Sequence, residues 1–114
     1  MKIINTTKQT ILANKGLLAD TVISRMTGLL NKRSFEPGEA LVITGCRSIH
    51  MFFMKFAIDA VFVSRDNIVV GLVKHILPFR LSPYFYKADY VIELPSGVIE
   101  ETKTCVGDSV EIKG

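Results

Sequence analysis

This 114-residue chain has no C-x-x-C pair, no apolar run long enough to cross a membrane, no block of like charges and no internal repeat. Each absence removes a class of function. The two cysteines, Cys46 and Cys105, stand far apart, whereas a thioredoxin-like motif or a zinc knuckle needs close pairs. Both are expected as thiols, Cys46 buried as a small hydrophobe, with a disulfide between them as the minor alternative. The opening "MKIINTTKQT" turns polar before an apolar h-region forms, so no secretory signal is read and the expected location is the cytoplasm. A membrane helix needs about 18 apolar residues, so no membrane partner is expected. Fourteen Lys and Arg against eleven Asp and Glu give a net charge of +3. The basic residues are dispersed, which fits a mixed solvated surface better than a nucleic-acid footprint.

What is present points to a folded chain. Hydrophobic residues make up 48% and charged residues only 22%, with seven Phe and three Tyr, which excludes intrinsic disorder. A chain of this length buries about two-thirds of its extended surface. Residues 1–114 read as one domain, with no linker or low-complexity segment.

Two short strands are expected near residues 2–6 and 10–14. In "ADTVISRMTGLLNKR", Val22, Met26, Leu29 and Leu30 form one apolar helical stripe, with Asp20 as N-cap and Lys32 and Arg33 at the C-terminal end. The pattern predicts a helix over about 21–31. Pro37-Gly38 has the chemistry of a type II turn. "ALVITG", "IDAVFVS", "NIVVGLVKHI", "ADYVIEL" and "SVEIK" read as strands, "SRDN" as a hairpin turn, and "SGVIEET" as one helical turn capped by Ser96. The expected fold is α+β and mostly β, a compact barrel-like or strongly coiled antiparallel sheet of about seven short strands with one α-helix.

The segment "CRSIHMFFMKFAIDAVFV" holds His50 and Asp59 among apolar residues. A buried imidazole favours its neutral form and needs a hydrogen-bond partner, and Asp59 is the obvious one. Asp59 could instead accept backbone N–H groups from the turn around Met54–Ala57. Two readings follow: His50 as a base oriented by Asp59, or both as internal fasteners, which is how most buried polar groups act. Cys46 and His50 make a C-x3-H pair, and two ligands are not a zinc site; no metal and no cofactor is assigned. Arg25 borders the helical stripe and could reach Glu93, expected on the face of Val91. His75 reads as surface, and Asp108 as shaping the turn into the last strand. "HILPFRLSPYFYKADY" mixes Phe79, Tyr84, Phe85, Tyr86 and Tyr90 with Arg80 and Lys87. It reads as an irregular aromatic loop suited to a partner or ligand lip.

"ADTVISRMTGLL", the central Cys46–Val63 segment, the proline after the next strand, "ADYVIELPSG" and "GDSVEI" together resemble the family catalogued as domain of unknown function 192, over about residues 3 to 113. The resemblance implies a small β-rich prokaryotic domain with no established activity. The family usually has threonine after the histidine, where Met51 stands here. Arg25, His50, Asp59, Glu93 and Asp108 match its polar positions.

Three functions fit these residues. The first is a ligand-binding or protein-interaction module with an internal polar cluster of Arg25, His50, Asp59 and Glu93, and a binding lip that includes Arg80, Tyr84 and Tyr86. The second is a small hydrolase or lyase with His50 as base, Asp59 as orienter and Arg25 stabilising negative charge. The third is a weak single-stranded nucleic-acid binder, against which the small charge excess weighs. Monomer and homodimer both remain open.

Overall fold

Ile58–Ser64 places successive side chains in two different apolar surroundings: Ile58, Ala60 and Phe62 in one, Val61 and Val63 in the other. A strand buried on both faces must lie inside a sheet with packing above and below. The computed structural model describes residues 1–19, 35–51 and 54–114 and contains β1 (Lys2–Asn5), β2 (Thr10–Ala13), β3 (Lys15–Ala19), β4 (Glu39–Thr44), β5 (Ile58–Ser64), β6 (Val69–Ile76), β7 (Ala88–Pro95), the short helix α1 (Val98–Glu101) and β8 (Val110–Lys113). The expected helix over 21–31, and Arg25 with it, lies outside the described residues.

The strands form two sheets, one of order β2-β1-β8 and one of order β3-β4-β7-β5-β6. Every pairing is antiparallel except β3 with β4. The barrel expectation is thereby corrected: among the described residues the sheets do not close. Local bonds link them at two places: Ile68 bridges Ser109 beside the bond from Val69 N–H to the Asp108 carbonyl at 2.9 Å, and Gly16 N–H donates to the Met1 carbonyl at 2.8 Å. The strand count is also corrected. "KGLLA" gave no strand signal because Gly16 weakens the pattern, and its Leu17 and Leu18 are exposed; β3 exists by pairing with β4 in register from Lys15↔Glu39 to Ala19↔Ile43.

One face of the larger sheet (Ala40, Val42, Val61, Val63, Tyr90, Ile92, Leu94) packs on Ile3, Leu12 and Val110 of the smaller sheet and on Ile99 of α1. Each large apolar side chain buried there contributes about 1.5–3 kcal/mol. Ile49, Met51, Met54 and Phe85 join the core on the other face, with Leu41, Ile43, Phe62 and Val91. Turn chemistry sets the connections as expected. Glu39 N–H donates to the Glu36 carbonyl at 3.1 Å around Pro37 and Gly38, whose φ of 88° suits glycine. Asn67 N–H closes the β5–β6 hairpin onto Ser64 at 2.9 Å.

Candidate functional site

The segments 47–51 and 79–85 pair as a short antiparallel ribbon over the second face. Met51 N–H donates to the Arg80 carbonyl at 2.8 Å, Phe79 N–H to Met51 at 2.7 Å, Ser82 N–H to Ile49 at 2.9 Å and Phe85 N–H to Arg47 at 2.8 Å. Alternation along the ribbon turns Ile49 and Met51 inward, where both are buried. His50, opposite Leu81, faces outward and is exposed. This corrects the expected burial of His50. Packing two apolar side chains and leaving the imidazole in water is the cheaper arrangement.

Asp59 is buried, and three backbone groups occupy its carboxylate: His75 N–H at 2.8 Å, Gly97 N–H at 3.0 Å and Ile99 N–H at 2.9 Å. The alternative of a backbone acceptor fits, with different donors from those expected around Met54–Ala57. The structure does not bring His50 and Asp59 together. His75 is exposed, its Nδ1 lying 2.5 Å from Ser96 Oγ. No disulfide joins the half-buried Cys46 to the exposed Cys105, and Cys46 Sγ donates to the Ser48 carbonyl at 3.0 Å. Among the described residues no three His, Cys, Asp or Glu side chains gather as a metal-binding group.

Glu93 shares the face of Val91, flanked in register by Leu41 on β4 and Ala60 on β5. It is 7% exposed, and among the described residues no hydrogen bond or ion pair reaches its carboxylate. Burial pushes its pKa up to about 7, because an apolar floor disfavours the charged form.

On the same face Val91 pairs with Phe62, about 7 Å along β7 from Glu93. The Phe62 ring meets that of Phe85, centroids 4.5 Å apart and planes inclined at 35°. Phe85 can lie so close because Gly71, opposite Phe62 in β6, has no side chain; a Cβ there would collide with the ring. Val70, Tyr84, Phe85, Tyr86 and Lys87 then enclose an open recess of about 150 Å³. Tyr84 and Tyr86 are 64% and 71% exposed, and the Lys87 ammonium lies 5.8 Å from the Tyr86 ring centroid. Tyr84 and Tyr86 thus meet in one site. Arg80 is exposed on the ribbon, and Glu93 lies on the same sheet face. Sequence reasoning named Lys87 and Phe85 in the aromatic loop and missed Gly71 and Val70 as parts of this site. The available signal was the glycine inside "NIVVGLV", since an interior strand glycine often marks the close approach of another group.

The family model described as "Uncharacterized ACR, COG1430", DUF192, matches residues 3–112. A UPF0127 protein of Pyrococcus abyssi is 35% identical over 115 residues, covering 96% of this chain and 95% of its own. A UPF0127 protein of Thermococcus sibiricus is 32% identical over 113 residues, covering 96% and 73%. Among solved structures, a protein of unknown function from Novosphingobium aromaticivorans superposes with a TM-score of 0.82 at 19% identity, covering 97% of this chain and 82% of that one. A candidate transcription regulator of Sinorhizobium meliloti gives 0.79 at 19% identity, covering 96% and 89%. Likeness at that identity concerns the fold.

Proposed function

The chain belongs to the DUF192 family, whose name assigns no reaction, and we propose that it is a small ligand-binding module whose site is the aromatic recess on the ribbon-covered face. The observation that carries this reading is the Gly71–Phe85–Phe62 stack. A strand position is left without a side chain, an aromatic ring fills that space, and a hollow bounded by two exposed tyrosines and a lysine results. An open recess of about 150 Å³ has room for a single six-membered ring. The lining residues carry polar groups, the tyrosine hydroxyls and the Lys87 ammonium, that would orient a ring bearing an anionic or hydrogen-bonding substituent. The catalytic reading through His50 and Asp59 draws no support from this geometry, since Asp59 is committed to backbone groups.

A fragment titration followed by NMR tests the proposal. Single-ring carboxylates and heterocycles should move the amide resonances of Val70 and of residues 84–87 in the wild type. Gly71→Ala, which displaces Phe85, should weaken the effect at least tenfold; Tyr86→Ala, at an exposed position that leaves the core intact, should do the same. Folded wild type whose recess amides respond to no fragment would sink the reading.

A further inference from the structure

Residues 40–58 and 67–88 contain five of the fourteen basic residues, Arg47, Lys55, Lys74, Arg80 and Lys87, and none of the eleven acids. The remainder of the chain holds nine basic residues against eleven acids, so all of the net positive charge resides in these two stretches. The fold sets the stretches side by side: the ribbon takes one strand from each. All five basic residues are exposed. Arg47 and Lys87 lie near the end where Phe85 pairs with Arg47, and Arg80 lies at the other, beside Met51. Arg47 and Met51 are four residues apart, about 14 Å of extended chain, too far for these cations to converge on one phosphate. Tyr84 and Tyr86 stand at the recess near the first end, and Leu81, 67% exposed, lies between the ends.

We propose that the ribbon is a docking surface for single-stranded nucleic acid. One base enters the recess against Phe85 and stacks on Tyr84 or Tyr86, while Arg47, Arg80 and Lys87 hold successive phosphates. The inference rests on the recess being a ring-binding site and identifies its occupant. Unstacked bases present the π-faces that exposed tyrosines receive, whereas bases in a duplex do not. Cations spread along the ribbon fit a repeating anion better than a mononucleotide. A ring-sized hollow beside them has no use in contact with a flat lipid surface.

Fluorescence anisotropy with labelled 12-residue oligothymidylate and oligouridylate, between 50 and 200 mM NaCl, tests this. Three phosphate contacts give a log–log salt slope of about −2, so affinity should fall roughly 20-fold over that range. Lys87→Gln should flatten the slope by about 0.7. Tyr86→Ala should weaken binding roughly 5- to 100-fold and leave the slope unchanged. The proposal is overturned if neither oligonucleotide binds at 50 mM salt, if thymidine monophosphate binds as tightly as the 12-mer, or if both variants bind as the wild type does. It is equally overturned if phosphatidylglycerol vesicles capture the protein while the oligonucleotides do not. Ring fragments that bind while oligonucleotides fail would leave the recess standing as a ligand site; failure of both would remove both readings.

Discussion

Glu93 is a carboxyl group in surroundings that disfavour its charge. Its place beside Leu41 and Ala60 puts a carboxyl on an apolar floor, and burial raises its pKa from 4.5 to about 7. The folded state therefore retains a proton between those pH values that the unfolded chain releases. Stability from this group is complete below about pH 4.5 and declines as pH rises to about 7, by on the order of 3 kcal/mol. Glu93→Gln should abolish that decline and be the more stable form at pH 8, read from urea midpoints at pH 5, 6, 7 and 8. Parallel pH curves for the two proteins would refute the assignment. The sequence placed Glu93 correctly on the face of Val91, because strand alternation is local. It could not show the carboxyl's surroundings, which come from β4 and β5.

At the scale of elements, Asp59 shows how a side chain can substitute for local capping. Gly97 is the N-cap of α1, in a left-handed conformation with φ of 100° and no side-chain cap bond; the expected Ser96 cap is not used. Asp59, on β5, supplies the missing acceptor to Gly97 and Ile99 and also ties down His75 of β6. Asp59→Ala would leave three backbone donors without this partner. Bonds to a charged acceptor are worth about 1.5–3 kcal/mol each, so a loss of about 3 kcal/mol or more is expected, with faster amide exchange at Ile99 in hydrogen-exchange measurements. A loss under about 1 kcal/mol would mean that water replaces the carboxylate and that Asp59 is free for another role. The ribbon carries a similar lesson. Period-two alternation correctly separated His50 from Ile49 and Met51, but which side faced the core depended on the partner segment 79–85.

For the whole molecule, the smaller sheet depends on the two chain ends meeting. β1 lies between β2 and β8, pairing Lys2↔Lys113 through Asn5↔Val110. A polar knot fastens the junction. Asp108 Oδ2 accepts from Asn5 Nδ2 and Cys105 N–H, both at 2.9 Å, and meets Lys8 Nζ at 2.9 Å. Burial opposes the charge on Asp108, yet the bonds from Asn5, Cys105 and Lys8 outweigh it and lower its pKa. Asp108 thus shapes the turn, as expected, and also locks the two termini. Deleting residues 110–114 removes a ladder and the buried Val110. The loss should be at least about 3 kcal/mol, and the melting temperature should fall by roughly 10 °C or more. A truncated chain melting within a few degrees of the full one would show that β8 is dispensable.

The sequence by itself determined what depends on neighbours in the chain. Among the described residues, seven of the eight strands, the Pro37-Gly38 turn, the Ser64–Asn67 hairpin and the helical turn near Val98 all follow from alternation and turn chemistry within a few residues. The family was legible in the order of its motifs for the same reason. Tertiary structure alone decided what depends on segments far apart: that β3 pairs with β4, that the sheets stay open, that His50 faces water and Asp59 caps a distant helix, and that Phe85 rests on Gly71 to leave a recess. It also set Arg47, Arg80 and Lys87, dispersed along the chain, on or beside one ribbon. Periodicity records which residues share a side; only the opposing surface, with its own shape and charge, determines whether that side meets core, solvent or ligand.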